Sequence, residues 1–393
     1  MLSFEEAGAR LQGAATPTPL ERVPIYAATG RVLAHDLEAD MDVPPADNSA
    51  MDGYAVRAAD VPAAGIRLPV SQRVPAGSVP SALRPGTAAR IFTGAPIPPG
   101  ADTVVMQERC RTEGNDVIFE EGVRVGVNVR RAGSDIARGD VVLPAGRKLS
   151  AADVGLAASL GQPSLIVHAR LRVAVFFTGD ELTEPGEPLK PGAIYNSNRY
   201  MLRGLLESMG CLVEDFGIVR DNVDATREAL RTASRSTDVV ITCGGVSVGE
   251  EDHVKAAVEA EGRLESWKVA IKPGKPFAFG SVGQAVFIGL PGNPVSSFVT
   301  FFTLVRPYLR RRQGVIEAPH IPLTLRADFE WKRADTRLEF LRVRRNAHGG
   351  LDLYPSQGSG VLTSCAWADG FVSNAPGSTI ARGDMVTYLP FEE

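Results

Sequence analysis

The sequence predicts an α/β plus β protein, in which a central parallel-sheet α/β domain is flanked by a β-rich module before it and a second β unit after it. Three observations carry the prediction. Between about residues 170 and 315, apolar runs of strand length alternate with amphipathic stretches of helical period. From about 40 to 140, and again from 319 to 393, short apolar segments are instead cut by Gly-, Pro- and Asn-containing turns. The 393 residues are 44 % hydrophobic, ordinary for a globular chain of several domains, and 40 Gly and 28 Pro supply many tight turns without low complexity.

Taken in order, Ser3 with Glu6 three residues later forms a capping-box signature, so a short helix is expected over 3–12. The β-rich stretch is punctuated by Val43-Pro44-Pro45, Pro75-Ala76-Gly77, Arg84-Pro85-Gly86, Pro98-Pro99-Gly100 and Glu113-Gly114-Asn115-Asp116. Leu149 to Leu160 reads as a helix with Ser150 as its N-cap. The run Leu171 to Phe177 is a buried strand ending at Thr178-Gly179-Asp180. The helix from about Asn198 places Met201, Leu202, Leu205, Leu206 and Met209 on one face and stops at Gly210. A second strand leads to Arg220-Asp221-Asn222, and a helix opens at Asp224. Val239-Val240-Ile241 runs into Cys243-Gly244-Gly245, and Ala285 to Ile288 ends at Gly289-Leu290-Pro291-Gly292-Asn293-Pro294. Strands separated by helices indicate a parallel sheet with crossovers, whose ligands bind beyond the carboxyl ends of the strands. In the last stretch Pro322 to Arg326, Phe340 to Arg344 and Met385 to Tyr388 are short strands of a small barrel or sandwich.

Composition excludes several classes. The 42 Lys and Arg against 46 Asp and Glu leave a charge of −4, the wrong sign for a general nucleic-acid binder. Cys110, Cys211, Cys243 and Cys365 show no metal spacing and read as reduced thiols of a cytoplasmic protein. The N-terminus has no secretory signal, and the longest strongly apolar run, near Phe298 to Val305, falls short of the roughly 18–20 residues that span a bilayer, so no membrane partner is expected. There is no GxxxxGK[ST], HExxH or GxSxG motif, and His168 and His253 read as structural or surface residues.

The chemistry concentrates in four loops that each follow a strand. Thr178-Gly179-Asp180-Glu181 supplies two carboxylates and Arg220-Asp221-Asn222 a third. Gly244 to Asp252 joins a glycine backbone to three more, and Gly289 to Pro294 turns into a helix near Ser296 and Ser297. Glycine amides after a strand can close on an anion, with phosphate the natural ligand. Carboxylates on the same rim would repel phosphate unless a hard cation such as Mg²⁺ lies between. Lys268 and the Lys272-Pro273-Gly274-Lys275-Pro276 loop add positive charge, stiffened by two prolines. Singly, Asp252 suits a helix N-terminus, Glu181 and Asp221 suit turns, and the lysines suit a solvated surface. Together, at one edge, they imply a Mg²⁺-bridged phosphate ester with space for another oxyanion.

Longer motifs point further. Asp47-Asn48-Ser49-Ala50-Met51-Asp52-Gly53-Tyr54-Ala55, Thr93-Gly94-Ala95-Pro96 with Gly100-Ala101-Asp102, Arg130-Arg131-Ala132-Gly133, Thr178 to Leu182, Asn196-Ser197-Asn198, Gly244 to Gly249, Lys272 to Pro276 and Gly289 to Pro294 follow one another in order. Together they resemble the MoeA-type molybdopterin molybdenumtransferase family, over a stretch from about residue 3 to the C-terminus. The resemblance implies an elongated homodimer of four domains: a linker and dimerisation domain (1–38 and 140–166), a β-rich domain (39–139), an α/β molybdopterin-binding domain (167–318) and a C-terminal β-barrel (319–393). It implies a Mg²⁺-dependent reaction of adenylylated molybdopterin with molybdate that releases AMP, and a molybdopterin adenylyltransferase as substrate donor.

By motif, Asp52, Thr93, Glu181, Asp221 and Asp252 carry over as catalytic, the last three also as metal ligands. Arg130, Asp135, Thr178, Gly244, Gly245, Ser247, Gly249, Lys268, Lys272, Lys275, Pro291, Gly292, Asn293 and Pro294 carry over as binding residues, with Asp52, Thr93, Arg130 and Asp135 reaching in from the partner subunit. The chain departs from the family at Ala46, Ser134, Asn196 and Cys243, and Asn196, where an aspartate is common, bears on one possible charged contact. Two other readings stay open: an adenylyltransferase acting one step earlier, and a non-catalytic cofactor-binding scaffold.

Overall fold

Three six-stranded sheets and several two-stranded ladders organise the residues described by the computed structural model, 1–245, 253–316 and 323–392. In the α/β domain the strands lie across the sheet in the order Leu212–Val219, Arg172–Thr178, Val239–Cys243, Ala285–Leu290, Pro276–Val282, Gly262–Lys268. The first four are parallel. Val173 to Phe177 are all buried, because helices cover both faces and erase the usual alternation. Ser197–Ser208 and the helical run from Pro294 to Arg312 pack one face, while Val223–Ser236 and His253–Glu261 pack the other. The first helix of each face starts one residue before its sequence expectation, because Asn196 and Asn222 supply the N-cap oxygens.

The region departs from strict strand–helix alternation between 262 and 282. Gly262–Lys268 and Pro276–Val282 form an antiparallel hairpin with Lys268 opposite Pro276. The tip of that hairpin leaves the sheet altogether, and Ile271–Lys272 lies parallel to Leu338–Glu339 of the C-terminal unit. That unit is a closed barrel, since Leu338–Arg345 pairs with both Gly350–Leu353 and Gly370–Asn374 and the ring continues through Met385–Pro390 and Leu323–Ala327. Leu341, Val343, Leu351, Val372 and Tyr388 fill it.

The β-rich domain is a sheet of order Thr103–Met106, Gly53–Val56, Ala88–Ile91, Arg67–Val74, Asp116–Phe119, Cys110–Glu113. The linker unit draws on two separate segments: Leu20–Pro24 pairs with Ser164–His168, and Val23, Leu33, Leu143, Leu149, Ala157, Leu165 and Val167 share one core. Ser150 caps Ala151–Ser159 in a capping box with Asp153. The first helix, Phe4–Gly13, has the expected Ser3–Glu6 box but packs elsewhere: Ala7 and Leu11 are buried with Leu171, Val173 and Leu309 of the α/β domain. Residues 4–13 thus pack on the α/β domain. No helix among the described residues is long and apolar enough to cross a membrane.

Candidate functional site

The parallel strands end at one edge, and their loops meet there. Thr178 faces Val219 in register, which brings Asp221 alongside the next strand's end. The nearly buried Thr178 hydroxyl donates to Asp221 Oδ1 at 2.9 Å. Glu181 folds its carboxylate back over Gly179, whose φ is +148°. A Cβ at Gly179 would lie 2.6 Å from Glu181 Oε2, and the positive φ itself favours glycine at this strand end. A Cβ built on Gly292 would lie 3.7 Å from the Gly244 Cα, and Gly245, at φ +60°, fits between Val254 and Thr178. Asn198 Nδ2 donates to the Gly292 carbonyl at 2.7 Å and the Ser297 hydroxyl donates to the Pro291 carbonyl, which pins the Gly289–Pro294 loop, and the Gly244 amide donates to the Leu290 carbonyl at 3.1 Å, which ties the second glycine loop to it.

Asn293 begins the helix that continues into Pro294, its side chain uncommitted to a cap. Cys243 is buried beside Ser297, and burial pushes its thiol up to about 12, which excludes a thiolate ligand or nucleophile at neutral pH. Two buried polar atoms on this side, Asn196 Nδ2 and Asn198 Oδ1, have no protein partner. A cleft of about 620 Å³ opens beside Glu181, between Asp180–Thr183 and Glu187–Ala193.

The lysine loop reaches the same edge by a different route. Ala278 pairs with Gly289, so the Pro276 end of the hairpin stands next to Pro291. Gly274 presses on the following helix, where a Cβ would lie 2.5 Å from Thr300 Oγ1 and 3.5 Å from the Ser296 carbonyl. Lys268 and Lys275 are exposed. Lys272 is not available to an anion in this arrangement. Its ammonium sits 3.0 Å from Glu339 Oε1 and 3.1 Å from Asp335 Oδ2. Glu339 is only 1 % exposed and also accepts from Trp331 Nε1 and Asn374 Nδ2. Burial alone would lower the Lys272 pKa, but the two carboxylates outweigh it and hold it above its usual value.

Arg342 escaped the sequence reading. It is 1 % exposed, donates to Ser364 Oγ and to the carbonyls of Phe340 and Gly358, and has no carboxylate partner among the described residues; burial pushes it down to about 10. The Gln357–Ser359 loop it braces is hydrogen-bonded to Val295 at the helix start. Strand alternation was the available signal: Leu341 and Val343 face the barrel, so Arg342 shares the opposite face with Phe340, against the α/β core.

A second group lies in the β-rich domain. Gly53 pairs with Ile91, which sets Asp52 beside Thr93. Asp52 Oδ1 accepts from the Thr93 amide at 2.7 Å and hydroxyl at 2.8 Å; these, with Arg90, hold the carboxyl below its usual range. Arg130 is exposed and pairs with Asn48, and exposed Asp135 is held by its amide on the Val43 carbonyl. Among the described residues no hydrogen bond or ion pair joins this group to the Thr178–Asp221 rim. Ser247, Gly249 and Asp252 lie outside the described residues. No cage of three or more His, Cys, Asp or Glu side chains is found among those described. Glu181 and Asp221 nevertheless suit Mg²⁺, which takes one or two carboxylates and completes its shell with water and substrate phosphate.

Comparison with known proteins covers nearly the whole chain. Residues 2–161 match the family described as MoeA N-terminal region (domain I and II), 174–311 match a probable molybdopterin binding domain, and 324–391 match the MoeA C-terminal region (domain IV). The chain is 40 % identical to a molybdopterin molybdenumtransferase of Haemophilus influenzae, over 100 % of this chain and 99 % of that one. A Nostoc protein of the same name is 42 % identical over 75 % of this chain and 70 % of its own. A crystal structure of a molybdopterin biosynthesis moeA protein from Pyrococcus horikoshii superposes with TM-score 0.86 at 30 % identity, each chain covered completely.

Proposed function

Because the chain belongs to the MoeA family of molybdopterin molybdenumtransferases, we propose that its carboxyl rim joins molybdate to adenylylated molybdopterin and releases AMP, in a Mg²⁺-dependent step of molybdenum cofactor biosynthesis. The observation that carries this reading is the meeting of Thr178, Glu181, Asp221, Gly244, Gly245 and Gly292 at one edge of a parallel sheet. Two anions must approach each other there. Unit charges 4 Å apart repel by about 4 kcal/mol at an effective dielectric of 20. Lys275 and Lys268, exposed on the hairpin at the same edge, offset part of that repulsion. Gly244 and Gly245 let backbone come close to the phosphates, and the Thr178 hydroxyl holds Asp221 in one orientation. Mg²⁺ held by Glu181 and Asp221 would stabilise charge on the departing AMP phosphate. Lys272 instead fixes the hairpin tip to the barrel, so that the loop bearing Lys275 keeps its place.

The Asp52–Thr93 pair, with Arg130 and Asp135, completes the cleft from the partner subunit of a homodimer. Its double hydrogen bond leaves Asp52 ionised and one oxygen free to meet a cation or a substrate donor. Purified protein given preformed adenylylated molybdopterin, molybdate and Mg²⁺ should liberate AMP, and Asp252→Ala should abolish that release without unfolding the chain. Consumption of ATP with molybdopterin would favour the adenylyltransferase reading. Tight binding with no AMP would favour a scaffold.

A further inference from the structure

Away from the rim, the linker and α/β domains enclose a cleft of about 230 Å³, lined by Thr29–Val32, Lys148, His168–Arg170, Glu207–Gly210 and Gln313. Its charge is unbalanced. Lys148 and Arg170 have no carboxylate partner among the described residues. The other charged groups on the wall are already matched: Arg31 is paired with Glu21 and donates to the His168 carbonyl, while Glu207 holds Arg203 at 2.8 Å. The Lys148 ammonium lies near enough to the α/β side to oppose the burial that pushes the Cys211 thiol up.

The walls also reach down to backbone. A Cβ built on Gly30 or Gly210, both at positive φ, would meet nothing within 4 Å. His168 is held on the same wall: its Nδ1 lies 3.1 Å from the Thr18 carbonyl, which can only accept, so Nδ1 carries the hydrogen.

We propose that this cleft is a second anion site, separate from the rim at Thr178 and Asp221, that takes a small dianion of the phosphate class and bridges the linker and α/β domains. Two unpaired cations lining one concave wall repel each other, and a dianion between them relieves that repulsion. Lys148 provides a point charge from the linker segment and Arg170 a planar fork two residues before the first α/β strand, so the ligand is contacted by both domains. Occupancy therefore stabilises the junction between them. The phosphate can be free or the terminal group of a nucleotide, and the cleft's chemistry serves either.

The test uses the full chain at low ionic strength, titrated with inorganic phosphate and, separately, with AMP, and read by calorimetry and thermal unfolding. Wild type is compared with Lys148→Ala/Arg170→Ala and with Lys275→Ala as the rim control. Each lost charge-assisted contact is expected to weaken phosphate about tenfold, so the double variant binds about 100-fold more weakly and loses the ligand-dependent rise in Tm. Lys275→Ala should keep that phase. A response to AMP alone that vanishes in the double variant supports the site and identifies the nucleotide as its source. Should the double variant fail to fold, Arg170→Lys and Lys148→Gln carry the test, with smaller losses expected. Phosphate and AMP responses that are absent in wild type, or equal in wild type and variants, overturn the proposal.

Discussion

Lys272→Met removes the cation that ties the hairpin tip to the barrel. The methionine keeps most of the aliphatic stem, so the change isolates the charge. Among the described residues Glu339 is left 1 % exposed with Trp331 Nε1 and Asn374 Nδ2 as donors, while Asp335 retains Arg337. Breaking one side of a fully buried pair costs about 3–5 kcal/mol. The Lys272 side chain is 38 % exposed, so solvent already screens part of the interaction, and about 2 kcal/mol is expected. Urea unfolding of the single variants and of Lys272→Met/Glu339→Gln measures it, with a coupling energy of about 1–2 kcal/mol.

The pH dependence has a definite sign. The folded ammonium pKa is raised above its usual 10.5, so the stabilisation is complete below that pH and disappears only as pH rises through the higher folded value. The gap between wild type and Lys272→Met should therefore be flat from pH 6 to 9 and close in stronger alkali. Additive single effects, or a variant as stable as wild type, would show that the network contributes nothing.

Other outcomes follow from the same geometry. Thr178→Val keeps the shape but removes the 2.9 Å hydrogen bond to Asp221; stability should change by no more than about 1 kcal/mol while AMP release falls about tenfold, and equal turnover would remove Asp221's orientation from the mechanism. Gly245→Ala forces a side chain into φ +60° and to 2.4 Å from Val254 Cγ2, which should cost about 1–2 kcal/mol by thermal unfolding and impair turnover. Because burial pushes Cys243 and Cys211 up to about 12, iodoacetamide at pH 7.5 should leave both unmodified in the folded chain by mass spectrometry; rapid labelling of Cys243 would contradict its burial. Asp335, depressed chiefly by Arg337, contributes stability that is present above the usual carboxylate range and lost on acidification, so Arg337→Ala should flatten the acid limb of the stability–pH curve.

Local signals were legible wherever a residue acts on its immediate neighbours. The Ser3 and Ser150 caps, the Thr178 and Gly244 strand ends and the stop at Gly210 are all set by interactions within a few residues. The parallel core followed from apolar runs that no half-exposed strand would carry, and it predicted that Thr178, Glu181, Asp221 and the two glycine loops share a rim. The 262–282 hairpin was not legible, because Phe277, Ala278 and Phe279 read equally as strand or buried helix until a partner strand is known.

Chain chemistry by itself determined which groups this protein has for an anion and a divalent cation, and that strand ends would present them. Only the tertiary structure decided which of those charges are free. Lys272 and Lys275 stand three residues apart in one stiff loop, yet one is locked onto Glu339 and Asp335 and the other faces solvent. Arg342, an ordinary strand arginine by pattern, became a buried cation whose partners among the described residues are a hydroxyl and carbonyls. The physical reason is range: capping and alternation act over a few residues, whereas an ion pair's partner is chosen by packing between segments 67 positions apart, as Lys272 and Glu339 are.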